Sequence, residues 1–383
     1  MPVPTDATSW VPATDLDPPG EGDPDIALLR VLKDDGTVDP ATDPRLPPEM
    51  LQRAYREMRR VRILDARMIA LQRQGRVGFY GAAQGQEAVP IAVALALHDD
   101  DWVFPALREQ SIMLVRGFPL RTFVAQIFAN SGDILKGRQM PSHPSARAVH
   151  QVSWSSCIGT QLPHAIGAAW AMRVRNTGTV AVAFLGDGAT SVGDFHAAMT
   201  FAAAWRVPAV IVCQNNQWSI SVPVERQTAS PTIAVKARAY GLPGFRVDGN
   251  DVLAVYATVR AAIERARAGG GATFIEAVTF RMGAHSTSDD PTLYRADSDV
   301  DAWAAKDPLD RLRRHLASLG LVTDASDAAL HAQLAEEIGS AIDGSEALLP
   351  PALATLVEDV YSRVPRHLQR QLEQLKKVPF PPT

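Results

Sequence analysis

Two apolar runs that each end on oxygen-bearing residues constrain this chain more than any other feature. Residues 180–185 read VAVAFL and lead into Gly186-Asp187-Gly188; residues 209–213 read AVIVC and lead into Gln214-Asn215-Asn216. Short apolar runs bounded by turn residues read as buried strands, and the segment between them, 192–205, reads as a helix. In an open parallel sheet, ligands bind at the carboxyl ends of the strands. An aspartate, an asparagine amide oxygen and a backbone carbonyl are hard donors. They suit Mg²⁺, which takes a few protein oxygens and completes its shell with water and phosphate. The stretch reads as a Mg²⁺-diphosphate site.

The rest of the chain supports a large α/β fold. Residues 1–47 are rich in proline and acid and are expected to form an extended or partly disordered arm, in which one short apolar piece at 26–32 could form a strand. A helix is predicted over 48–73, with Leu51, Tyr55, Met58, Val61, Leu64, Met68 and Leu71 on one face and an arginine-rich, solvated opposite face. Further helices are predicted over 85–97, 120–130, 159–172, 230–241 and 252–268, with Asn250 or Asp251 as N-cap of the last. Residues 101–108 read as a short strand or loop ending on Arg108, and strand character recurs at 245–247 and 273–280. Residues 136–143 and 281–295 read as polar loops, and 308–377 as three amphipathic helices. The expected fold class is α/β: a doubly wound, mostly parallel sheet with helices on both faces, over residues 48–305, and a helical C-terminal part over 306–383.

Composition narrows the class. The chain has 383 residues, 46% hydrophobic, with a net charge of -4, so nothing draws it globally to nucleic acid. Its two cysteines, Cys157 and Cys213, argue against a disulfide framework. No apolar run is long enough for a membrane span, and the first residues lack the pattern of a secretory signal, so a cytoplasmic enzyme is expected. Three familiar sites fail. There is no Gly-Lys-Ser/Thr phosphate loop. The third glycine of a dinucleotide fingerprint is replaced by Ser191. Two distant cysteines cannot build a zinc site. A dinucleotide oxidoreductase and a non-catalytic α/β scaffold remain as alternatives of another class.

The spacing of about thirty residues from Gly186 to Asn216 resembles the thiamine-diphosphate motif. Together with GRQMPSH (137–143), RVDGNDVLAVY (246–256) and HSTSDDPTLYR (285–295), it makes the chain resemble the alpha subunits of 2-oxoacid dehydrogenase decarboxylating components, and among these the branched-chain group, over residues 48–370. The resemblance implies thiamine diphosphate and Mg²⁺ as cofactors. Asp187, Asn216 and the Trp218 carbonyl are the implied metal ligands. Gly186, Gly188 and Ala189 would hold the diphosphate through close backbone approach, with Arg108 pairing to it. The Ser156 carbonyl would accept from the aminopyrimidine, and Ile158 would wedge beneath the cofactor. His285 would face the thiazolium as the catalytic proton donor and acceptor, in a loop ordered by Arg281, Tyr294 and Arg295. Ser155, Cys157, Thr160 and Gln161 match a K⁺ site of the branched-chain members. Phe79, Tyr80 and Gln110 are candidate substrate contacts.

Two residues depart from the family pattern. Leu107 stands where many relatives have tyrosine, and Gln214 where some have arginine. Each removes a polar contact expected at the cofactor. His285 can also be read as a loop histidine held by neighbouring serines, and His143 as structural or lining the entrance. Ser286 and Ser288 fall in a loop that is phosphorylated in some family members. The resemblance further implies oxidative decarboxylation of 3-methyl-2-oxobutanoate, 4-methyl-2-oxopentanoate and 3-methyl-2-oxopentanoate, or, as the alternative, of pyruvate or acetoin. It implies a beta subunit in a complex of two alpha and two beta chains, because one α/β half is present and the aminopyrimidine needs a glutamate from a second. A lipoyl-bearing dihydrolipoyl acyltransferase is the implied acyl acceptor.

Overall fold

The computed structural model describes residues 27–379. In chain order, the elements of the first half are β1 (Leu28–Leu29), α1 (Pro48–Arg73), α2 (Ala88–Ala96), β2 (Trp102–Phe104), α3 (Gln110–Val115), α4 (Leu120–Phe128), α5 (Gln161–Arg175) and β3 (Ala181–Gly186). The second half adds α6 (Gly193–Ala204), β4 (Ala209–Asn215), the hairpin β5 (Trp218–Ser219) and β6 (Val222–Pro223), β7 (Gly244–Asp248), α7 (Val252–Arg267) and β8 (Thr273–Val278). It ends in α8 (Asp297–Ala304), α9 (Pro308–Ser318), α10 (Asp324–Glu346) and α11 (Arg366–Leu375).

Six strands form one sheet in the order β1-β7-β8-β4-β3-β2, with every pairing parallel. Alternation divides the strand side chains between two layers. Val182, Phe184, Val210 and Val212 pack with α2 and α7 on one face; Ala183, Leu185, Ile211 and Cys213 pack with α5 and α6 on the other. All eight side chains are fully buried, and each large one contributes about 1.5–3 kcal/mol. This two-sided burial explains the unbroken apolar runs of the sequence.

The register Gly186↔Gln214 sets the ends of β3 and β4 side by side. A single 3₁₀ turn, Asp187–Ser191, follows β3. Thr190 Oγ1 donates to the Asp187 carbonyl at 2.8 Å and accepts from Lys236 Nζ at 2.9 Å, which ties the turn to the segment behind it. That segment, expected as an α-helix over 230–241, is a 3₁₀ helix, Ala234–Tyr240, ended by Gly241 in the left-handed region. The sequence reading also missed α3 and α8, which are short and lack a legible apolar period.

The first 26 residues of the expected arm lie outside the described residues; in the remainder the apolar piece does form a strand, β1, but the segment packs on the domain instead of standing off as an arm. Residues 27–47 are stitched into the domain. Leu28 and Leu29 extend the sheet beside β7, and Val31 and Leu32 are buried. Both of these residues donate backbone N–H groups to Asp251 Oδ2, at 2.6 and 2.7 Å. The other oxygen of Asp251 caps α7 by accepting from Leu253 and Ala254 at 3.0 Å. The basic face of α1 is likewise not simply solvated. Arg56, Arg59 and Arg62 pair with Glu337, Asp327 and Asp307 from the C-terminal part. Leu334, Ile338 and Ile342 of α10 share a core with Met68 of α1 and Phe123 of α4. The helix α11 has no buried residue.

Because one carboxylate serves four backbone donors, Asp251→Ala is expected to destabilise the fold by about 3 kcal/mol, combining a lost cap with buried unpaired N–H groups. Denaturant unfolding followed by circular dichroism measures this.

Candidate functional site

A cavity of about 510 Å³ opens at the carboxyl edge of the sheet, lined by residues from the ends of β3 and β4 and from the loops after β2, before α5 and after β8. It brings together residues distant in sequence: Arg108, Ser156, Ile158, Gly186, Asp187, Gly188, Ala189, Asn216, Trp218 and His285 all line it. Ser155 and Gln161 do so too.

Asp187 is buried, and loss of water raises its carboxyl pKa above the ordinary value; the Gln227 amide, donating to Oδ2 at 2.6 Å, opposes this. Asn216 is fixed at both ends of its amide. Its Nδ2 donates to Gln86 Oε1 at 3.0 Å, and its Oδ1 accepts from the Trp218 N–H at 3.2 Å. The Asn216 backbone amide also acts on the Asp187 carboxylate, so the two oxygen-bearing strand ends meet.

Gly186 and Gly188 are glycines for different reasons. A Cβ on Gly188 would meet Ser219 Oγ at 2.2 Å, so glycine here lets the β5–β6 hairpin close on the turn. A Cβ on Gly186 would meet nothing within 4 Å, since it faces open space. Arg281 carries the hairpin from below, donating to the Ile220 carbonyl at 2.7 Å and to the Trp218 carbonyl at 3.5 Å.

Arg281 also bonds the Tyr294 hydroxyl at 2.8 Å, and that hydroxyl donates to Asp289 at 2.5 Å. Asp289 in turn accepts the His285 backbone N–H at 2.7 Å, and Arg295 donates to the Met282 carbonyl at 2.9 Å. The loop over 281–295 is therefore held from within. Arg108 crosses the cavity wall, donating to the Ala82 carbonyl and to the His285 carbonyl at 2.7 Å, with His285 Nδ1 3.5 Å away. Burial first, and then Arg281, bring the Arg108 pKa down to about 10. Burial, then Arg108 and Arg281, bring His285 down to about 4, so its imidazole is neutral around pH 7. The neutral imidazole has one nitrogen that donates and one that accepts a hydrogen bond, while burial and the two cations beside it oppose its protonation.

Other sequence expectations fare differently. Tyr80 and Gln110 do not reach the cavity. The Tyr80 hydroxyl donates to Asp65 at 2.7 Å and Gln110 Nε2 to the Gly81 carbonyl at 3.2 Å, so both brace the loop that presents Phe79, which does line it. The Tyr80 hydroxyl and the Gln110 amide nitrogen find partners behind the wall, whereas Gln110 Oε1 is buried without one among the described residues. Thr160 Oγ1 donates to the Cys157 carbonyl at 3.0 Å and Gln161 Nε2 to the Phe184 carbonyl at 2.7 Å; Cys157 is exposed. Ser286 and Ser288 hydroxyls lie 3.1 Å apart. Leu107 and Gln214 both line the cavity, and Gln214 Nε2 donates to the buried Glu109.

Four cavity or near-cavity residues were not singled out from sequence: Gln86, Glu109, Ser219 and Gln227. Gln86 stands in the GQEA run before α2, a signal that an amide is being placed at a helix start. The others had none, because their roles arise from segments meeting in space.

The donor set fits a metal-diphosphate. Asp187 and Asn216 supply hard oxygens, Arg108 and backbone N–H groups after β3 suit phosphate oxygens, and Gly186 leaves room for close approach. Gln86 Nε2 and Gln214 Oε1 are buried without a protein partner among the described residues, as expected of groups kept for a ligand.

The His285 shift makes a pH prediction. An unfolded histidine protonates near 6.5, whereas folded His285 does so at about 4. As pH falls through that interval the unfolded chain gains a proton that the native one lacks, and this group's contribution to stability is lost. Replacing Arg108 with methionine removes one of the causes, so the His285 resonance is expected to titrate closer to 6.5 in an NMR titration.

Residues 55–353 match the family described as dehydrogenase E1 component. The chain is 40% identical over 375 residues to the 2-oxoisovalerate dehydrogenase subunit alpha of Pseudomonas aeruginosa, covering 95% of this chain and 90% of that protein. It is 43% identical over 360 residues to the 3-methyl-2-oxobutanoate dehydrogenase subunit alpha of Mycobacterium tuberculosis, covering 92% and 94%. It is 39% identical over 354 residues to the mitochondrial 2-oxoisovalerate dehydrogenase subunit alpha of Bos taurus, covering 92% and 78%.

Proposed function

The chain belongs to the dehydrogenase E1 component family, and we propose that it is the alpha subunit of a branched-chain 2-oxoacid dehydrogenase decarboxylating component. It takes part in oxidative decarboxylation of 3-methyl-2-oxobutanoate and the related branched-chain 2-oxoacids. The observation that carries this reading is the convergence of Asp187, Asn216, Arg108 and His285 on one cavity at the carboxyl edge of a parallel sheet. The apolar lining from Phe79, Leu107, Met140 and Ile220 supports a branched aliphatic substrate.

Thiamine diphosphate, when bound, supplies a nucleophilic carbon for the 2-oxo group and an electron sink for the loss of CO₂. In this proposal the protein's own residues do the rest. Asp187, the Asn216 amide oxygen and the Trp218 carbonyl would hold Mg²⁺, and Gly186, Gly188 and Ala189, with Arg108, would hold the diphosphate. The Ser156 carbonyl would accept a hydrogen bond from the aminopyrimidine, and Ile158 would pack against the cofactor. Ile158 is 62% exposed at the mouth of the cavity, as a side chain would be that is covered only by a ligand. Its neutral imidazole suits His285 to proton transfer at the reacting end. A K⁺ ion among Ser155, Cys157, Thr160 and Gln161 would brace the same segment.

A beta subunit completes the component. The described residues hold a single large sheet with the cavity at its edge, and this favours a second chain supplying the pyrimidine side. Two alpha and two beta chains, with acyl transfer to a lipoyl-bearing dihydrolipoyl acyltransferase, are the proposed assembly. No described helix is long and apolar enough to cross a membrane, and a cytoplasmic location is proposed.

Calorimetry on the alpha chain reconstituted with its beta partner tests the site: thiamine diphosphate with Mg²⁺ binds, and Asp187→Ala removes the Mg²⁺-dependent binding. Binding unchanged in that variant overturns the metal assignment. In the reconstituted complex 3-methyl-2-oxobutanoate is expected to turn over at least about tenfold faster than pyruvate per unit concentration, a difference of roughly 1.4 kcal/mol from its two extra methyl groups in an apolar pocket. A preference for pyruvate overturns the substrate assignment.

A further inference from the structure

His143 takes no part in the chemistry described so far, yet it is bonded to Ser156, which lines the cavity. It is 3% exposed. Its ring lies between Phe79 and Trp154, with centroids 6.1 Å from each. Its Nδ1 is 3.0 Å from the Pro141 carbonyl, and its Nε2 is 2.6 Å from Ser156 Oγ.

These two contacts fix the direction of every proton in the pair. A carbonyl oxygen can only accept, so Nδ1 carries the ring proton. In the neutral imidazole Nε2 then holds the lone pair, and Ser156 must donate to it. With its only hydrogen turned toward His143, the Ser156 hydroxyl has only lone pairs left for the cavity that it lines. A serine hydroxyl is normally a rotor that serves donors and acceptors alike. Here the histidine makes it an acceptor.

We propose that His143 is a positioning residue that locks Ser156 as a hydrogen-bond acceptor, so that this wall of the cavity selects a ligand presenting an N–H donor. The opposite chemistry is supplied in the same cavity by Arg108, a buried cation that suits the anionic end of a ligand. The cavity thus has a donor side and an acceptor side, and a molecule with a diphosphate at one end and an amine at the other is held in one orientation. An anion placed against Ser156 would meet lone pairs and be refused. The inference rests on the thiamine diphosphate reading, whose aminopyrimidine carries such an amine, and adds a side-chain acceptor to the backbone carbonyl of Ser156.

The test compares thiamine diphosphate with its 4′-deamino analogue, each with Mg²⁺, binding to the reconstituted alpha and beta chains by calorimetry at pH 8. Ser156→Ala removes the hydroxyl and keeps the backbone carbonyl; His143→Leu keeps the hydroxyl and frees its rotor. Loss of one uncharged hydrogen bond corresponds to a factor of about three to ten. Ser156→Ala is expected to lose that factor from the preference for the amino compound. His143→Leu, whose freed hydroxyl can still accept, is expected to lose a smaller part of it, and the double variant no more than Ser156→Ala alone. A preference unchanged in His143→Leu overturns the lock. A preference unchanged in Ser156→Ala, or equal weakening of both ligands in the two variants, overturns the acceptor role while leaving the cofactor reading in place. Failure of the unaltered assembly to bind thiamine diphosphate overturns the cofactor reading itself and the inference with it.

Discussion

The structure depends on the parallel pairing of β3 with β4. Because the strands run the same way, both chain segments leave the sheet at the same edge, and the register Gly186↔Gln214 sets their ends abreast. Asp187 and Asn216 are then one residue and two residues beyond that pair, close enough for the Asn216 backbone amide to act on the Asp187 carboxylate. An antiparallel pair would send the two polar ends to opposite edges. The apolar side chains that fill both faces of the sheet supply the stability, and the polar groups sit where the strands stop and the backbone is free to turn.

Around that pair, charge is managed by enclosure. Arg108 and Arg281 are buried cations without a carboxylate partner at ion-pair distance among the described residues; they are spent on carbonyls and on Tyr294. Burying a cation this way is costly unless its hydrogen bonds are met or a counter-ion arrives. The same two cations help keep His285 neutral. One arrangement therefore prepares an anion site and leaves an unprotonated imidazole beside it. Its cost is borne by the two sheet faces and by the helices of the C-terminal part, which neutralise much of the basic face of α1.

Sequence legibility followed the range of the interactions. The long amphipathic helix, the apolar strands and the Asp251 cap could be read because their signals lie within a few residues of one another. The cavity walls at Arg108, Ser156 and His285 were legible through family motifs, and the structure gathers those residues at one cavity. Tyr80 and Gln110 were candidate substrate contacts, but burial turns the Tyr80 hydroxyl toward Asp65 and the Gln110 amide toward Asp65 and Gly81. Gln227 gave no signal at all, since its contact with Asp187 spans forty residues of chain.

What the sequence by itself determined was the class of fold, the alternation of buried strands with helices, and the chemical types collected at two strand ends. These follow from periodicity and residue chemistry, which are local. Only the tertiary structure decided that residues 27–47 belong to the sheet edge and that Gly188 is required by Ser219. It alone decided which oxygen of the Asp251 carboxylate serves which segment, and that His143 Nε2 meets the Ser156 hydroxyl at the cavity. The physical reason is that hydrogen-bond direction and close packing depend on which atoms meet across the fold, and a one-dimensional pattern does not encode that meeting.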